Sequence, residues 1–253
     1  MRFASLGSGS KGNATLIEAG DVRVLVDCGF AAKELEKRLA ELAVDPATLT
    51  AILVTHEHGD HIRGVGPVAR RYQVPVWMTA GTLKTDRCGQ LSELNLINCH
   101  AGNFTIGGLE VTPFPVPHDA REPCQFSFVH GGRCFTLLTD LGQVTPHIMQ
   151  EVARCDVLLL ECNHDLDMLA NGPYPPRLQA RVSGTFGHLS NCQATELLLQ
   201  IESSKLSHLV VAHLSQQNNS PERVRETILK SLPELGDRLT VAQQNGVSEW
   251  FEC

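Results

Sequence analysis

Four apolar segments of this chain end at, or just before, a histidine or an aspartate, and this recurrence constrains the fold more than any other feature. The pairs are residues 51–54 with His56, residues 111–116 with His118, residues 135–139 with Asp140, and residues 209–212 with His213. Short apolar, β-branched segments bounded by turn residues are typical of buried strands. Because strand ends gather along one edge of a sheet, these four groups, distant in sequence, are expected to converge.

Strands and helices alternate along most of the chain. The predicted strands are residues 3–6, 14–18, 22–27, 51–55, 76–78, 109–116, 125–130, 133–139, 157–161 and 208–212, and the predicted helices are residues 35–42, 145–153, 192–201 and 221–232. Gly131-Gly132 predicts a two-residue hairpin turn, and Ser220 with Pro221 predicts the start of the last helix. Two similar halves with strands backed by helices predict an α+β fold, an αββα four-layer sandwich of two mixed β-sheets flanked by helices. Residues 171–181, with three prolines, are predicted to form an inserted mobile loop.

Length and composition favour a single domain over residues 1–253. With 42% hydrophobic and 19% charged residues, the chain has enough apolar material for a sizeable core. No run approaches the roughly 20 apolar residues of a membrane span, and the composition of residues 1–13 predicts no secretory signal. Nine cysteines without a CxxC pair indicate a reducing compartment, so a cytoplasmic protein without a membrane partner is expected. The net charge of −7 argues against a broad basic surface of the kind that binds nucleic acid non-specifically.

The densest group of titratable side chains is the heptapeptide THEHGDH, residues 55–61. Neutral imidazoles and carboxylates are ligands for zinc, manganese and iron. A tight turn can direct His56 and His58 at one ion while Asp60 and His61 reach a second. A polar surface loop is the alternative for a lone HxH pattern, but four candidate ligands after an apolar strand argue against it. Together with the three other strand-end residues, the set has five histidines and two aspartates, enough for two divalent metal ions.

This pattern resembles the metallo-β-lactamase superfamily. The signature HxHxDH stands here as His56, His58, Asp60 and His61, followed in the family's order by His118, Asp140 and His213. The resemblance spans nearly the whole chain and implies the αββα fold. It also implies the distribution of ligands: His56, His58 and His118 for the first metal, Asp60, His61 and His213 for the second, and Asp140 bridging both.

Shorter motifs resemble one group within the superfamily, the YycJ/WalJ group, whose members are regarded as DNA exonucleases. The motifs are LGSGSKGN at residues 6–13, ECNHD at 161–165 and GHLSN at 187–191. The chain has no room for the inserted β-CASP domain of RNase J-like enzymes, and no tRNA-binding arm of the RNase Z kind is apparent. The resemblance implies a metal-dependent phosphodiesterase, a 5′-3′ exonuclease that acts on DNA, single-stranded or at 5′ ends, through a hydroxide bridging two metals.

Two residues are expected to act in catalysis. Asp60 would orient the nucleophile. The nuclease branches of the superfamily place a histidine that is not a ligand where His188 stands, and there it contacts the scissile phosphate. A structural role at the start of the following helix is the alternative for His188.

Four further residues are predicted to contact substrate phosphate: Ser8, Ser10 and Asn13 in a glycine-rich turn, and His164 after a buried strand. Backbone amides of such a turn can cradle phosphate oxygens, although the Walker pattern is missing. An ordinary β-turn is the alternative for the turn. A structural role or a position beside the metals is the alternative for His164.

Three classes of function remain open on the sequence. A nucleic-acid phosphodiesterase is favoured by the subgroup motifs and His188. A small-molecule hydrolase, either a cyclic phosphodiesterase or a glyoxalase II-like thioesterase, shares the HxHxDH set. A non-catalytic metal-binding protein is disfavoured, because such relatives usually lose ligands and this chain retains all of them.

Overall fold

The computed structural model describes residues 1 to 253, which form two compact units. The first unit contains residues 1–115, 120–133 and 243–253, and the second contains residues 116–119 and 134–242. None of the helices combines the length and the apolar composition that a membrane span requires.

The first sheet has seven strands in the order β14-β1-β2-β3-β4-β5-β6. Its strands are β1 (Arg2–Gly7), β2 (Ala14–Ala19), β3 (Val22–Val26), β4 (Ala51–Leu53), β5 (Val76–Thr79), β6 (Leu94–Ile97) and β14 (Phe251–Glu252). The sheet is mixed, because strands β14 to β3 pair antiparallel and strands β3 to β6 pair parallel. The helices of the first unit are α1 (Ala32–Glu41), α2 (Gly59–Ile62), α3 (Val65–Tyr72) and α4 (Ala80–Leu83), and a 3₁₀ turn lies at Pro46–Thr48.

Helices α1 and α3 pack on this sheet through their apolar sides. Leu35 and Leu39 of α1, one turn apart, share a buried cluster with Val65 and Val68 of α3 and with Ile52 of β4. Each such side chain contributes about 1.5–3 kcal/mol when it is buried. The cluster therefore holds β4 in place, and with it the histidine-rich loop that follows.

The second sheet also has seven strands, in the order β13-β12-β11-β10-β9-β8-β7. Its strands are β7 (Phe104–Ile106), β8 (Leu109–Pro115), β9 (Cys124–His130), β10 (Arg133–Leu138), β11 (Val157–Glu161), β12 (His208–Ala212) and β13 (Leu239–Val241). Strands β7 to β9 are antiparallel, and strands β10 to β13 are parallel. The helices of the second unit are α5 (Pro146–Val152), α6 (Leu166–Asn171), α7 (Pro176–Val182), α8 (Asn191–Gln200) and α9 (Pro221–Ser231), with 3₁₀ turns at Ser203–Lys205 and Pro233–Arg238.

Local signals account for several element boundaries. Gly131 and Gly132 have φ angles of +59° and +77°, as the predicted two-residue turn requires. The Ser220 hydroxyl accepts a hydrogen bond from the Arg223 N–H, so the predicted N-cap of α9 is confirmed. Ser190 forms a capping box at the start of α8.

The predicted mobile loop at residues 171–181 is wrong, because helix α7 occupies more than half of this stretch. Proline interrupts the interior of a helix, but at the first turn its missing N–H has no partner to lose. Pro176 is the first residue of α7 and Pro175 is its N-cap residue, so both are compatible with the helix. Strands β6, β7, β13 and β14 are not predicted from the sequence, because none of them has the run of three apolar residues with which the equally short β4 and β5 begin.

Candidate metal centre and active site

In the second unit, three neighbouring parallel strands end at an aspartate, a glutamate and a histidine. Leu138 of β10 lies opposite Leu160 of β11, and Glu161 of β11 lies opposite Ala212 of β12. Asp140, Glu161 and His213 are the residues at these strand ends. The carboxyl ends of parallel strands are where open α/β sheets bind their ligands.

Asp140 lies between two of the predicted ligand histidines. Its Oδ1 is 3.5 Å from Nε2 of His213 and 3.9 Å from Nε2 of His118, and all three side chains are buried. Two ligand atoms about 2.1 Å from a tetrahedral ion stand roughly 3.4 Å apart. The distance from Asp140 Oδ1 to each Nε2 is therefore close to the separation of two atoms that bind the same metal ion.

The backbone at these strand ends is unusual. Asp140 has a φ angle of +57° and His213 one of +56°, both in the left-handed region. A non-glycine residue there costs on the order of 1–3 kcal/mol and occurs mainly where the surrounding structure imposes it, often at functional sites. Asp27, at the end of β3 in the first unit, has the same conformation with a φ angle of +61°.

Glu161 orients two histidines at once. Its Oε1 accepts hydrogen bonds from Nδ1 of His188 at 2.8 Å and from Nδ1 of His213 at 2.9 Å. Its Oε2 accepts the backbone N–H groups of Leu189 and Leu141. Burial alone would raise the pKa of Glu161, but the charge on His188 and the hydrogen bonds from both rings lower it below the usual range. The carboxylate therefore stays ionised and fixes both rings through Nδ1.

His118 is oriented by the backbone instead. Its Nδ1 lies 3.0 Å from the carbonyl oxygen of Gly187. The following residue, Asp119, donates its N–H to the carbonyl of Phe186 and forms a 2.6 Å ion pair with Arg181. The segment that leads into His188 thus supports His118 and its neighbour.

In the first unit, the HxHxDH residues form a turn and the short helix α2. The carbonyl of His58 accepts the N–H of His61, which folds the segment back on itself. The ring centroid of His56 lies 4.6 Å from that of His58 and 4.2 Å from that of His61. Oδ2 of Asp60 lies 3.7 Å from Nε2 of His61. The four side chains predicted as ligands in this segment are therefore brought together.

Asp27 supports His61 as Glu161 supports His213. Its Oδ2 lies 2.7 Å from Nδ1 of His61, and the carboxylate also accepts the N–H and the hydroxyl of Thr55. Burial raises the pKa of Asp27, while the charge on His61 and these hydrogen bonds oppose the rise. The Thr55 hydroxyl in turn lies 2.9 Å from Nδ1 of His56. Val26 of β3 pairs with Leu53 of β4, so Asp27 and this loop start at the same edge of the sheet.

The donor set fits divalent metal ions. Four predicted ligand histidines contact a carboxylate, a hydroxyl or a carbonyl through Nδ1, and these are His56, His61, His118 and His213. Such contacts are the usual support of a metal-bound histidine, whose ligand atom is then Nε2. The chain therefore contains histidine and aspartate clusters able to hold divalent metal ions.

The predicted phosphate-binding turn is only partly close to these clusters. Asn13 is buried, its backbone N–H donates to the carbonyl of Asp60, and its Nδ2 lies 3.1 Å from Nε2 of His61. Ser8 is also buried. Ser10 is exposed, and its hydroxyl forms no hydrogen bond within the protein. The structure therefore brings Asn13, but not the Ser10 hydroxyl, into contact with the histidine loop.

His164 is fully buried close to Glu161, and neither ring nitrogen has a hydrogen-bond partner. Burial lowers its pKa to about 4, so the ring is neutral near pH 7. A neutral ring offers no positive charge to a phosphate, and the predicted phosphate contact of His164 stays a prediction.

Asp27 and the orienting role of Glu161 are the parts of the site that sequence reasoning misses. Both residues end strongly apolar segments, VRVLVD and VLLLE, which is the signal that identifies Asp140 and His213. The signal marks a strand end but does not distinguish a metal ligand from a residue that holds a ligand.

The fold and these clusters define a member of a known superfamily. A family model described as a beta-lactamase superfamily domain matches residues 22–213, and the chain belongs to this superfamily.

Two similar curated proteins align over nearly the whole chain. Exodeoxyribonuclease WalJ of Streptococcus pneumoniae is 33% identical over 237 residues, which cover 92% of this chain and 88% of that protein. Exodeoxyribonuclease YycJ of Bacillus anthracis is 32% identical over 255 residues, which cover 100% of this chain and 94% of that protein. These two relatives confirm the resemblance to the YycJ/WalJ group.

One solved structure with a similar fold is that of the metallo-β-lactamase fold protein YhfI from Bacillus subtilis. It has a TM-score of 0.75 at 17% sequence identity, with 98% of this chain and 99% of that chain covered. The predicted metallo-β-lactamase fold is thereby confirmed.

Proposed function

We propose that this protein is a metal-dependent exodeoxyribonuclease that hydrolyses phosphodiester bonds of DNA. The observation that carries this proposal is the identity of 32% and 33% to two exodeoxyribonucleases over at least 92% of the chain. The clusters of oriented histidines and aspartates supply the donor set for metal-assisted hydrolysis, and His188 beside Asp140 supplies a group for the substrate.

The proposed site binds two divalent metal ions, which are zinc, manganese or iron. Their proposed ligands are His56, His58 and His118 for the first ion, Asp60, His61 and His213 for the second, and Asp140 for both. The superfamily pattern supports this assignment, as do the contacts that orient the rings within each unit. Such ions, when bound, lower the pKa of water to near 7 and stabilise the attacking and leaving oxygens of an in-line displacement.

His188 is the proposed catalytic residue that acts on the scissile phosphate. Glu161 holds its ring through Nδ1, which makes Nε2 the atom available to substrate. Its side chain is 20% exposed, whereas those of His118 and His213 are at most 5% exposed. A histidine in this position can donate a proton to the leaving oxygen, which is worth about 10²–10⁴-fold in rate. Asp60 is proposed to orient the attacking water.

His188→Ala is expected to leave the metal content unchanged and to lower kcat by about 10²-fold or more, because the ring acts on the transition state. Metal analysis by mass spectrometry and steady-state kinetics on a DNA strand measure the two quantities. His188 lies within 4.8 Å of the ligand atoms of Asp140, Glu161 and His213, so it is itself close enough to them to share a metal ion. Loss of metal from the variant would make His188 a ligand and overturn the assignment of His213.

The proposed function is tested by incubating the purified protein with Mn²⁺ and single-stranded or double-stranded DNA labelled at either end. We expect mononucleotides or short products that are released first from the 5′ end. Because the net charge is −7, we expect only a few local arginines, and no continuous basic surface, to contact the DNA. The protein should therefore release the strand after each cut, and its binding should depend only weakly on salt concentration.

Three outcomes contradict parts of this proposal. Prompt cleavage of a circular single strand would indicate an endonuclease, and first products from the 3′ end would reverse the direction. Turnover of bis-p-nitrophenyl phosphate or of a thioester, without turnover of DNA, would favour a small-molecule hydrolase.

A further inference from the structure

Phe186 is an exposed aromatic residue two positions before the proposed catalytic histidine, His188. Its side chain is 59% exposed, and it is the only aromatic residue among the large exposed hydrophobic residues. Seven of the nine phenylalanines are buried. Single exposed apolar residues are common on protein surfaces, so exposure alone does not indicate a binding role for Phe186. Its position in the structure does.

The backbone at Phe186 is held by the candidate site itself. Its carbonyl oxygen accepts the N–H of Asp119 at 3.0 Å, and the next carbonyl, that of Gly187, accepts from Nδ1 of His118. A Cβ on Gly187 would stand 2.2 Å from the carbonyl oxygen of Val182, so the chain is also closely packed against the end of α7. The exposed ring is therefore attached to backbone that is fixed relative to His118.

The stretch of chain that contains Phe186 has basic but no acidic side chains, which favours an anionic partner. Residues 168–195 contain no aspartate or glutamate, although the whole chain carries 28 acidic residues. Within this stretch, the exposed Arg177 and Arg181 of α7 line a shallow groove of about 650 Å³. Arg181 is paired with Asp119, whereas Arg177 forms no ion pair.

We propose that Phe186 stacks on an unpaired nucleobase of the DNA substrate and that Arg177 contacts its phosphate backbone. This inference rests on the proposed function and adds to it the residues that bind the strand. Every nucleobase has an aromatic face, so stacking provides affinity without sequence preference, as an exonuclease requires. Successive bases of a single strand can each offer a face to the ring, whereas a duplex exposes one only at its terminal pair, so this inference favours a single-stranded end as the form that is bound.

The test uses the metal-loaded protein and single strands with 2-aminopurine as the terminal base, at the 5′ end in one strand and at the 3′ end in the other. Binding to the unaltered protein is expected to quench the fluorescence of one of the two strands, because the base stacks on Phe186. Phe186→Ala is expected to abolish this quenching and to raise KM about 10-fold with little change in kcat. Phe186→Trp should retain both the quenching and the KM of the unaltered protein.

One further substrate and two further variants serve as controls. A strand with abasic terminal nucleotides should have the same KM with Phe186→Ala as with the unaltered protein, because no base is present to stack. Arg177→Ala should raise KM on both kinds of strand and reduce the salt slope of binding by about 1. Leu199, at the far end of α8, is 54% exposed and so resembles Phe186 in exposure. Leu199→Ala should change neither KM nor the salt slope of binding.

An unchanged KM for Phe186→Ala on strands with bases, or quenching that persists in this variant, would overturn the stacking role while nuclease activity remained. Failure of the unaltered protein to hydrolyse DNA would contradict the proposed function instead. Circular dichroism of each variant checks the fold, which substitution of an exposed side chain should leave intact.

Discussion

Asp140→Ala is expected to remove at least one equivalent of bound metal and nearly all hydrolysis. Its carboxylate lies 3.5 Å from Nε2 of His213 and 3.9 Å from Nε2 of His118, so its loss affects the ligands of both proposed ions. The effect should exceed the roughly 10–100-fold that is typical of residues that only support a ligand. Metal analysis and turnover of labelled DNA measure it.

A second variant separates loss of the ligand from strain in the backbone. Asp140 has a φ angle of +57°, a conformation that asparagine adopts more readily than alanine. Asp140→Asn should therefore fold as well as the unaltered protein, by circular dichroism, and still be impaired in metal binding. Two tightly bound metals and full turnover in the alanine variant would show that the assignment of Asp140 as a ligand of both ions is wrong.

Glu161→Gln is expected to weaken metal binding by about 10–100-fold and to lower kcat as well, because one carboxylate orients both His188 and His213. Glu161 accepts hydrogen bonds on both oxygens, from two imidazoles on one and from the N–H groups of Leu189 and Leu141 on the other. A carboxamide has only one acceptor oxygen, so its NH₂ group must face donors in either orientation. The free energy of unfolding should fall by about 1–3 kcal/mol, the usual cost of unsatisfied buried polar groups.

Chelator competition, kinetics and thermal unfolding measure the three effects of Glu161→Gln. Glu196→Gln on the exposed side of α8 is the matched control and should change none of them. If Glu161 acts through His188, the double variant Glu161→Gln/His188→Ala should have a smaller kcat loss than the product of the two single losses. Unchanged metal affinity and kcat in Glu161→Gln would remove Glu161 from the site.

Prediction from the sequence succeeds where the signal is local. The strands at residues 157–161 and 208–212 are observed with the same bounds, because each is a continuous apolar run between clear turn residues. The amphipathic helix predicted at residues 35–42 is observed at residues 32–41, a small shift that reflects the absence of a capping side chain at Ala31. The extent of a single domain over residues 1–253 stays a prediction.

Prediction fails where the outcome depends on context. The prolines of residues 171–181 indicate a break in structure, and only the position of Pro176 in the first turn of α7 makes it compatible with a helix. The phosphate contacts predicted for the Gly7–Asn13 turn stay a prediction, and the sequence does not show that Asn13 hydrogen-bonds to the backbone of Gly9 and Asp60. Composition alone does not show which of these partners a side chain takes.

The order and the residue types of the candidate metal ligands follow from the sequence alone. Each of these residues follows an apolar strand, and histidine and aspartate side chains are suited to bind metal ions. The tertiary structure alone decides that Asp27 and Glu161 hold the rings, that Asp140 and His213 adopt left-handed backbone, and that Phe186 is exposed beside His118. The physical reason is that strand ends such as Asp140, Glu161 and His213 meet only through parallel pairing of strands far apart in the chain. No local pattern encodes such non-local contacts, since the free energy that forms them comes from burying whole strands and helices together.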